Sequence, residues 1–245
     1  MPHDDAPLPS VWARPRAPRR PPALSREQIV TEAVRLLDSE GVDALSMRRL
    51  GARLDTAATS LYRHVANKEE LIELAVDEVY GEMPTPGPGT PEGWRAAAAA
   101  GAREMRAVIL RHPWIVSVLG EVGLAYLGPN MMRYSEGMLG VFTAAGFGLE
   151  DADRALGTLS AYVVGTATGE AAWLVKLARS GRTEAEWAAG LWPAAEAAAR
   201  PYPLLSAFYT AQRGKVAPAT RDADFDFGVA RVLDGLEAWA GRGGG

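Results

Sequence analysis

The chain contains no cysteine. Disulfides and thiolate metal sites are therefore excluded. Histidine is scarce, with three in 245 residues. None stands at a motif spacing from a serine or an acid that would build a nucleophilic site. Phosphate-binding loops and dinucleotide fingerprints are missing too. No catalytic residue is assigned, so a non-enzyme without cofactor or metal is expected. No run of eighteen apolar residues occurs, so no membrane span is expected. The N-terminal stretch lacks the apolar core of a signal peptide. A soluble, cytoplasmic protein is the expectation.

Alternating strand patterns are also absent. Apolar residues recur instead at helical spacing, and the fold class expected is all-α. With 48% hydrophobic residues, a chain of this length can bury one or two good cores. The net charge is −4, which taken globally disfavours nucleic acid. Its distribution reverses that reading. Residues 11–26 hold Arg14, Arg16, Arg19, Arg20 and Arg26 without an acid. Residues 45–68 hold Arg48, Arg49, Arg53, Arg63 and Lys68 against Asp55 alone, whereas residues 71–245 carry 15 basic and 20 acidic side chains. A basic front on an acidic body suits a DNA-binding head whose body stays off DNA.

The stretch SMRRLGARLDTAATSLYRHVANK, residues 46–68, organises that front. Leu45, Leu50 and Leu54 share one helical face, with Arg48, Arg49 and Arg53 elsewhere. After a break at Asp55 and Thr56 comes a segment from Ala58 to His64, too short to be stable alone. Leu61 and Val65 anchor it, four residues apart. Ser60, Tyr62, Arg63 and His64 remain outward. Two short helices with a tight turn make a helix-turn-helix, whose second helix enters a major groove. The same arrangement occurs as plain packing in many all-α proteins.

The specific residues decide between these readings. SLYRHVANKEEL resembles the segment closing the DNA-binding domain of the tetracycline-repressor (TetR) family, and the similarity runs from Leu24 to Val79. The chain departs from the family at Asp55, where glycine is usual. Asp tolerates a left-handed backbone better than most residues, so the turn is expected to survive. The resemblance implies phosphate or base contacts by Tyr62, His64 and Lys68. It places Thr59 and Ser60 against bases, with Arg48 reaching DNA from the preceding helix.

Along the chain, residues 1–24 form a proline-rich basic arm with almost no periodicity. It is either a floppy tail or an arm that orders on DNA through Arg14, Arg16, Arg19 and Arg20. Residues 25–83 form the head with its connecting helix. Ser25 and Gln28 make a capping box, Gly41 stops the first helix and Ser46 caps the second. Asn67 caps the fourth helix, expected over Lys68–Met83, which in the resembling family is the lever between head and body. PTPGPGTPEG, residues 84–93, breaks the chain. The body, 92–245, should hold helices over 92–111, 114–122, 129–146, 150–180, 184–199, 203–213 and 223–241.

Two body helices have unusual faces. Gly157, Ala161, Gly165 and Gly169 form a stripe without bulk, and Phe225, Val229, Val232, Leu236 and Trp239 form a three-four seam. Either could be intramolecular core. The resemblance implies a homodimer built on these two helices, and two heads would read a palindromic operator. The stretch from RHPW to about residue 170 is also similar to the body of the tetracycline-sensing branch. Those members use a histidine to hold a magnesium–drug chelate. Ser117 falls near that place and the nearest histidine is His112, so a metal-free inducer is expected.

Trp114, Tyr126, Met131, Tyr134, Phe142, Tyr162 and Trp173 are the candidate ligand contacts, since large side chains with polar tips suit a flat, mostly apolar molecule. For each of them plain core is the commoner role. Arg133, Glu121 and Glu170 could supply polar anchors. The function this implies is a ligand-responsive transcriptional regulator, a repressor released from double-stranded DNA by a small inducer. The alternatives are an activator of the same fold or a helical ligand carrier that does not bind DNA.

Overall fold

A computed structural model describes residues 24–87, 93–122, 127–212 and 217–240. Among these, every long element is an α-helix and no strand occurs. The head begins with α1, Arg26–Glu40. Ser25 Oγ accepts the Gln28 N–H while Gln28 Oε1 accepts the Ser25 N–H, so two otherwise unpaired donors are satisfied. Gly41, at φ 82°, ends the helix. A single 3-10 turn, Val42–Ala44, leads to Ser46, whose side chain caps α2, Met47–Arg53.

Asp55 adopts φ 50°, the single positive value of a non-glycine residue among those described. This is the left-handed turn that the sequence anticipated. It brings the Thr56 N–H onto the Gly51 carbonyl at 2.8 Å. A Cβ at Gly51 would lie 2.8 Å from the Thr56 oxygen, so the turn requires glycine there. α3, Ala58–Leu61, is shorter than the expected run to His64, and a tight turn completes it. α4, Lys68–Gly81, starts at Asn67, whose side chain accepts the Glu70 N–H. It ends two residues short of the expected Met83.

Ile29, Leu36, Leu37, Leu45, Leu50, Leu61 and Val65 are buried together as the head core, while Leu54 is only partly covered. Leu71, Ala75, Val76 and Val79 of α4 join the same continuous core. The lever helix therefore belongs physically to both head and body.

The body comprises α5, Trp94–Arg111; α6, Ile115–Val122; α7, Pro129–Ala144; α8, Leu149–Ser180; α9, Glu184–Ala199; α10, Pro203–Gln212; and α11, Ala217–Ala240. α5, α7, α8 and α11 pack on one another, and α4 packs on α7. Trp94, Phe142, Phe147 and Trp239 form an aromatic cluster at one end, with centroids about 6 Å apart. α9 and α10 pair mainly with each other. Their hairpin meets the body at its base, where Trp173 packs on Trp187.

The two unusual faces separate here. α11 starts six residues earlier than expected, and Phe225, Val229 and Leu236 of its seam are buried within the single chain, joined by Leu233. That seam is intramolecular core. The α8 stripe behaves differently. Gly157, Ala161, Gly165 and Gly169 are all exposed, and a Cβ on any of the three glycines would meet nothing within 4 Å.

Candidate DNA-binding head and its joint to the body

On the head, basic residues divide into two sets. Arg49 and Arg53 fold back onto Glu40 and Glu32 of α1. Arg26 pairs with Glu70 across the start of α4. Arg48 and Arg63 are exposed and form none of the ion pairs found among the described residues. Their charge is free for a polyanion. Thr59 and Tyr62 are exposed on and just after α3, with Ser60 and His64 half-covered beside them. Lys68 donates from Nζ to the Val42 carbonyl at 3.3 Å, which keeps its ammonium at the head rather than the body.

The turn between α3 and α4 is held from one side. Glu70 Oε2 accepts the Ala66 N–H at 2.5 Å, and the same carboxylate meets Arg26. The Ala66 bond, with help from Arg26, outweighs desolvation and keeps Glu70 below the usual carboxylate range. Glu70 thus fixes the turn that follows α3. Arg14, Arg16, Arg19 and Arg20 lie outside the described residues.

The joint to the body is polar and partly buried. Asp38 near the end of α1 accepts Trp114 Nε1 at 2.8 Å and lies 2.7 Å from His112 Nδ1. Glu82, at the C-terminal end of α4, lies 3.1 Å from His112 Nε2 and pairs with Arg111. Burial works against ionisation of Glu82, yet the hydrogen bonds from Arg111 and His112 hold it below its ordinary value. Further along the lever, Asp77 accepts the backbone N–H groups of Asn130 and Met131 at the start of α7. Neither Asp38 nor Asp77 stood out in the sequence, because their partners are remote along the chain.

The seven candidate ligand contacts are dispersed. Trp114 belongs to the joint with Asp38. Phe142 is fully buried between Trp94 and Phe147. Tyr134 is buried against Tyr80 and donates to the Gly101 carbonyl, and burial raises the hydroxyl pKa of both, that of Tyr80 to about 12. Met131 packs partly against the core, and Tyr126 lies outside the described residues. Tyr162 and Trp173 do come together, in a cleft of ≈ 390 Å³ between α8 and α11, with Phe225 as a third wall.

Glu170 and Arg221 line the charged side of that cleft. Glu170 takes both ends of the Arg106 guanidinium at 2.8 Å, and Arg106 lies 4.8 Å over the Phe225 ring. The Tyr162 hydroxyl donates to the Phe225 carbonyl at 3.2 Å. It sits where a Cβ on Gly228 would be, so glycine permits this helix approach. Of the other polar anchors, Arg133 donates to Thr85 at 2.9 Å. No group of three or more His, Asp or Glu suited to a metal occurs among the described residues, and no described helix is long and apolar enough to cross a membrane.

A capped helix-turn-helix with free arginines, fused through a lever helix to a larger helical body, defines a one-component DNA-binding regulator. Comparison with known proteins gives its family. Residues 29–75 match the family described as bacterial regulatory proteins, tetR family, and residues 85–240 match the tetracyclin repressor-like C-terminal domain. The chain belongs to the TetR family and is a DNA-binding transcriptional regulator with a ligand-binding body.

Among its relatives is an HTH-type transcriptional regulator of Saccharopolyspora erythraea, 37% identical over 233 residues, covering 95% of this chain and 93% of the relative. The HTH-type transcriptional repressor DrrR1 of Streptomyces coeruleorubidus is 35% identical, covering 93% of this chain and 83% of the relative. The structure of ActR from Streptomyces coelicolor in complex with actinorhodin superposes with a TM-score of 0.73 at 30% identity, covering 90% of this chain and 99% of that one.

Proposed function

We propose that the chain acts in the cytoplasm as a homodimeric repressor, occupying a palindromic operator until a small, largely apolar or aromatic molecule releases it. The observation that carries the DNA part is the head: Arg48 and Arg63 unpaired beside exposed Thr59 and Tyr62. Tyr62, His64, Lys68 and Arg48 contact phosphates or flanking edges, and Thr59 and Ser60 read bases. The arginines of residues 1–24 follow the duplex into the adjacent minor groove.

The dimer is supported by the bare stripe on α8, which a second copy can approach closely, and by Phe227 on α11, 64% exposed in the single protomer. A partner packed there covers the mouth of the Tyr162–Trp173 cleft. The cleft volume lies within the usual range of small-molecule sites, about 300–1,000 Å³. A flat ligand lodges between Tyr162, Trp173 and Phe225, with Arg221 and Glu170 at its polar edge. The repressor named DrrR1 and the actinorhodin complex of ActR support repression and an aromatic inducer, respectively.

The two recognition helices must sit about 34–36 Å apart to enter successive major grooves. A ligand that binds better to a dimer with another spacing weakens operator binding by that difference in affinity. The test is a gel shift on operator DNA with a panel of aromatic compounds. Release by a member of the panel, abolished in Trp173→Ala, supports the reading. Release that is unaffected by Trp173→Ala and Tyr162→Ala would place the inducer elsewhere.

A further inference from the structure

Tyrosine and tryptophan apart, His112 is the one buried polar or charged side chain found among the described residues, at 4% exposure. It caps the C-terminal end of α5, its backbone N–H bonding to the Val108 carbonyl. Its ring touches three other parts of the molecule. Nδ1 lies 2.7 Å from Asp38 on α1, and Nε2 lies 3.1 Å from Glu82 at the end of α4. The ring edge meets Trp114, at a centroid distance of 6.3 Å, just before α6.

An ionised carboxylate only accepts hydrogen bonds. Both ring nitrogens must therefore donate for both contacts to hold, and only the imidazolium carries two N–H groups. The charges agree with this. Facing the ring are Asp38 from α1 and Glu82 from α4, and α5 contributes one guanidinium, Arg111, bound to Glu82. Trp114 is neutral and donates to Asp38. Arg111 and a protonated His112 balance the two carboxylates. A neutral ring leaves one of the two carboxylates facing a lone pair of the buried ring.

We propose that His112 is a proton-dependent positioning residue that fixes the DNA-binding head to the body. Protonated, it clamps α1 and the end of the lever helix against the α5–α6 corner. Losing one proton, it keeps the shorter contact to Asp38 and lets go of Glu82. The end of α4 is then free to shift, and α4 begins directly after the recognition turn, at Asn67. Head orientation thereby becomes sensitive to pH without any ligand.

The absence of native cysteine makes the test clean. Arg63→Cys on the head and Arg154→Cys on the body carry spin labels, and labelled full-length chain is diluted into excess unlabelled chain. The interspin distance is measured at about pH 6 and about pH 9. One narrow distance at the lower pH that moves or broadens at the higher pH is expected. His112→Gln should give the same distribution at both. Glu82→Gln should stay narrow at both, because the amide can donate to the unprotonated Nε2. An unchanged wild-type distance overturns the proposal, and so does a wild-type pH response in His112→Gln, since a group other than His112 would then be its source. If His112→Gln does not fold, Glu82→Gln decides: a retained pH response refutes the joint. The readout uses neither operator nor inducer, so its failure is distinct from failure of the repressor reading.

Discussion

The Asp77 carboxylate on the lever helix caps a helix of the body. Its Oδ1 accepts the backbone N–H groups of Asn130 and Met131 at 2.9 and 3.0 Å, and Asn130 Nδ2 returns a bond to Oδ2. Gly128 lies so close to Asp77 that no side chain fits there. The first turn of α7 thus takes its N-cap from α4, not from its own Gly128.

Asp77→Ala removes that cap and leaves two N–H groups without their acceptor. A loss of about 1–2 kcal/mol is expected, with the head loosened from the body. Thermal unfolding of the variant should show a lower midpoint than wild type. Asp77→Asn, which can still accept, should lose less; equal losses would mean the cap contributes nothing.

Gly165→Leu tests the dimer. The site is exposed and a Cβ meets nothing within 4 Å in the protomer. Leucine also favours helix over glycine by about 0.8–1 kcal/mol. The variant protomer should therefore fold normally while self-association weakens at least about tenfold, equivalent to about 1.4 kcal/mol. Sedimentation velocity over a concentration series measures it. A dimer as tight as wild type would remove the stripe from the interface.

Lys68→Ala and Thr59→Ala should fail differently. Lys68 meets a phosphate in the proposed complex, so its loss weakens all operator variants alike and lowers the salt slope by about 0.9. Thr59→Ala should change which operator variants are preferred. Matching profiles across a variant series would contradict this division of roles.

What the sequence revealed were relations between near neighbours. Ser25 with Gln28, Ser46 with Arg49, and Asn67 with Glu70 are caps spanning three residues, and all three form. The left-handed turn at Asp55 followed from the family resemblance, which places glycine there, and Asp tolerates that backbone. Periodicity shows that a helix has an apolar side but not what covers it. Phe225, Val229 and Leu236 accordingly suited a dimer seam as well as the protomer core they occupy. Trp114 looked like a pocket wall, since its partner Asp38 is 76 residues away. His112 was noticed only as a poor metal ligand, because neither Asp38 nor Glu82 is its neighbour in sequence.

Deleting residues 1–22 tests the arm. Arg14, Arg16, Arg19 and Arg20 go with it. Dimerisation and ligand binding should persist, while operator affinity falls and the salt dependence flattens by several phosphate equivalents. Equal affinity and slope would make the segment a passive tail.

Metal should not matter to induction. By the resemblance to the tetracycline-sensing members, Ser117 falls near the place of their metal-binding histidine. Excess chelator should leave inducer-driven operator release unchanged. A strict need for a divalent ion would contradict the assigned site.

The most direct measurement is selection of bound sequences from a pool of random duplexes by the full-length protein. The account predicts one enriched palindrome, its half-sites centred about one helical turn apart, lost on changing Thr59 and Ser60 together. Binding without an enriched sequence, or an enriched site that tolerates that double change, would contradict a sequence-specific regulator reading DNA through α3.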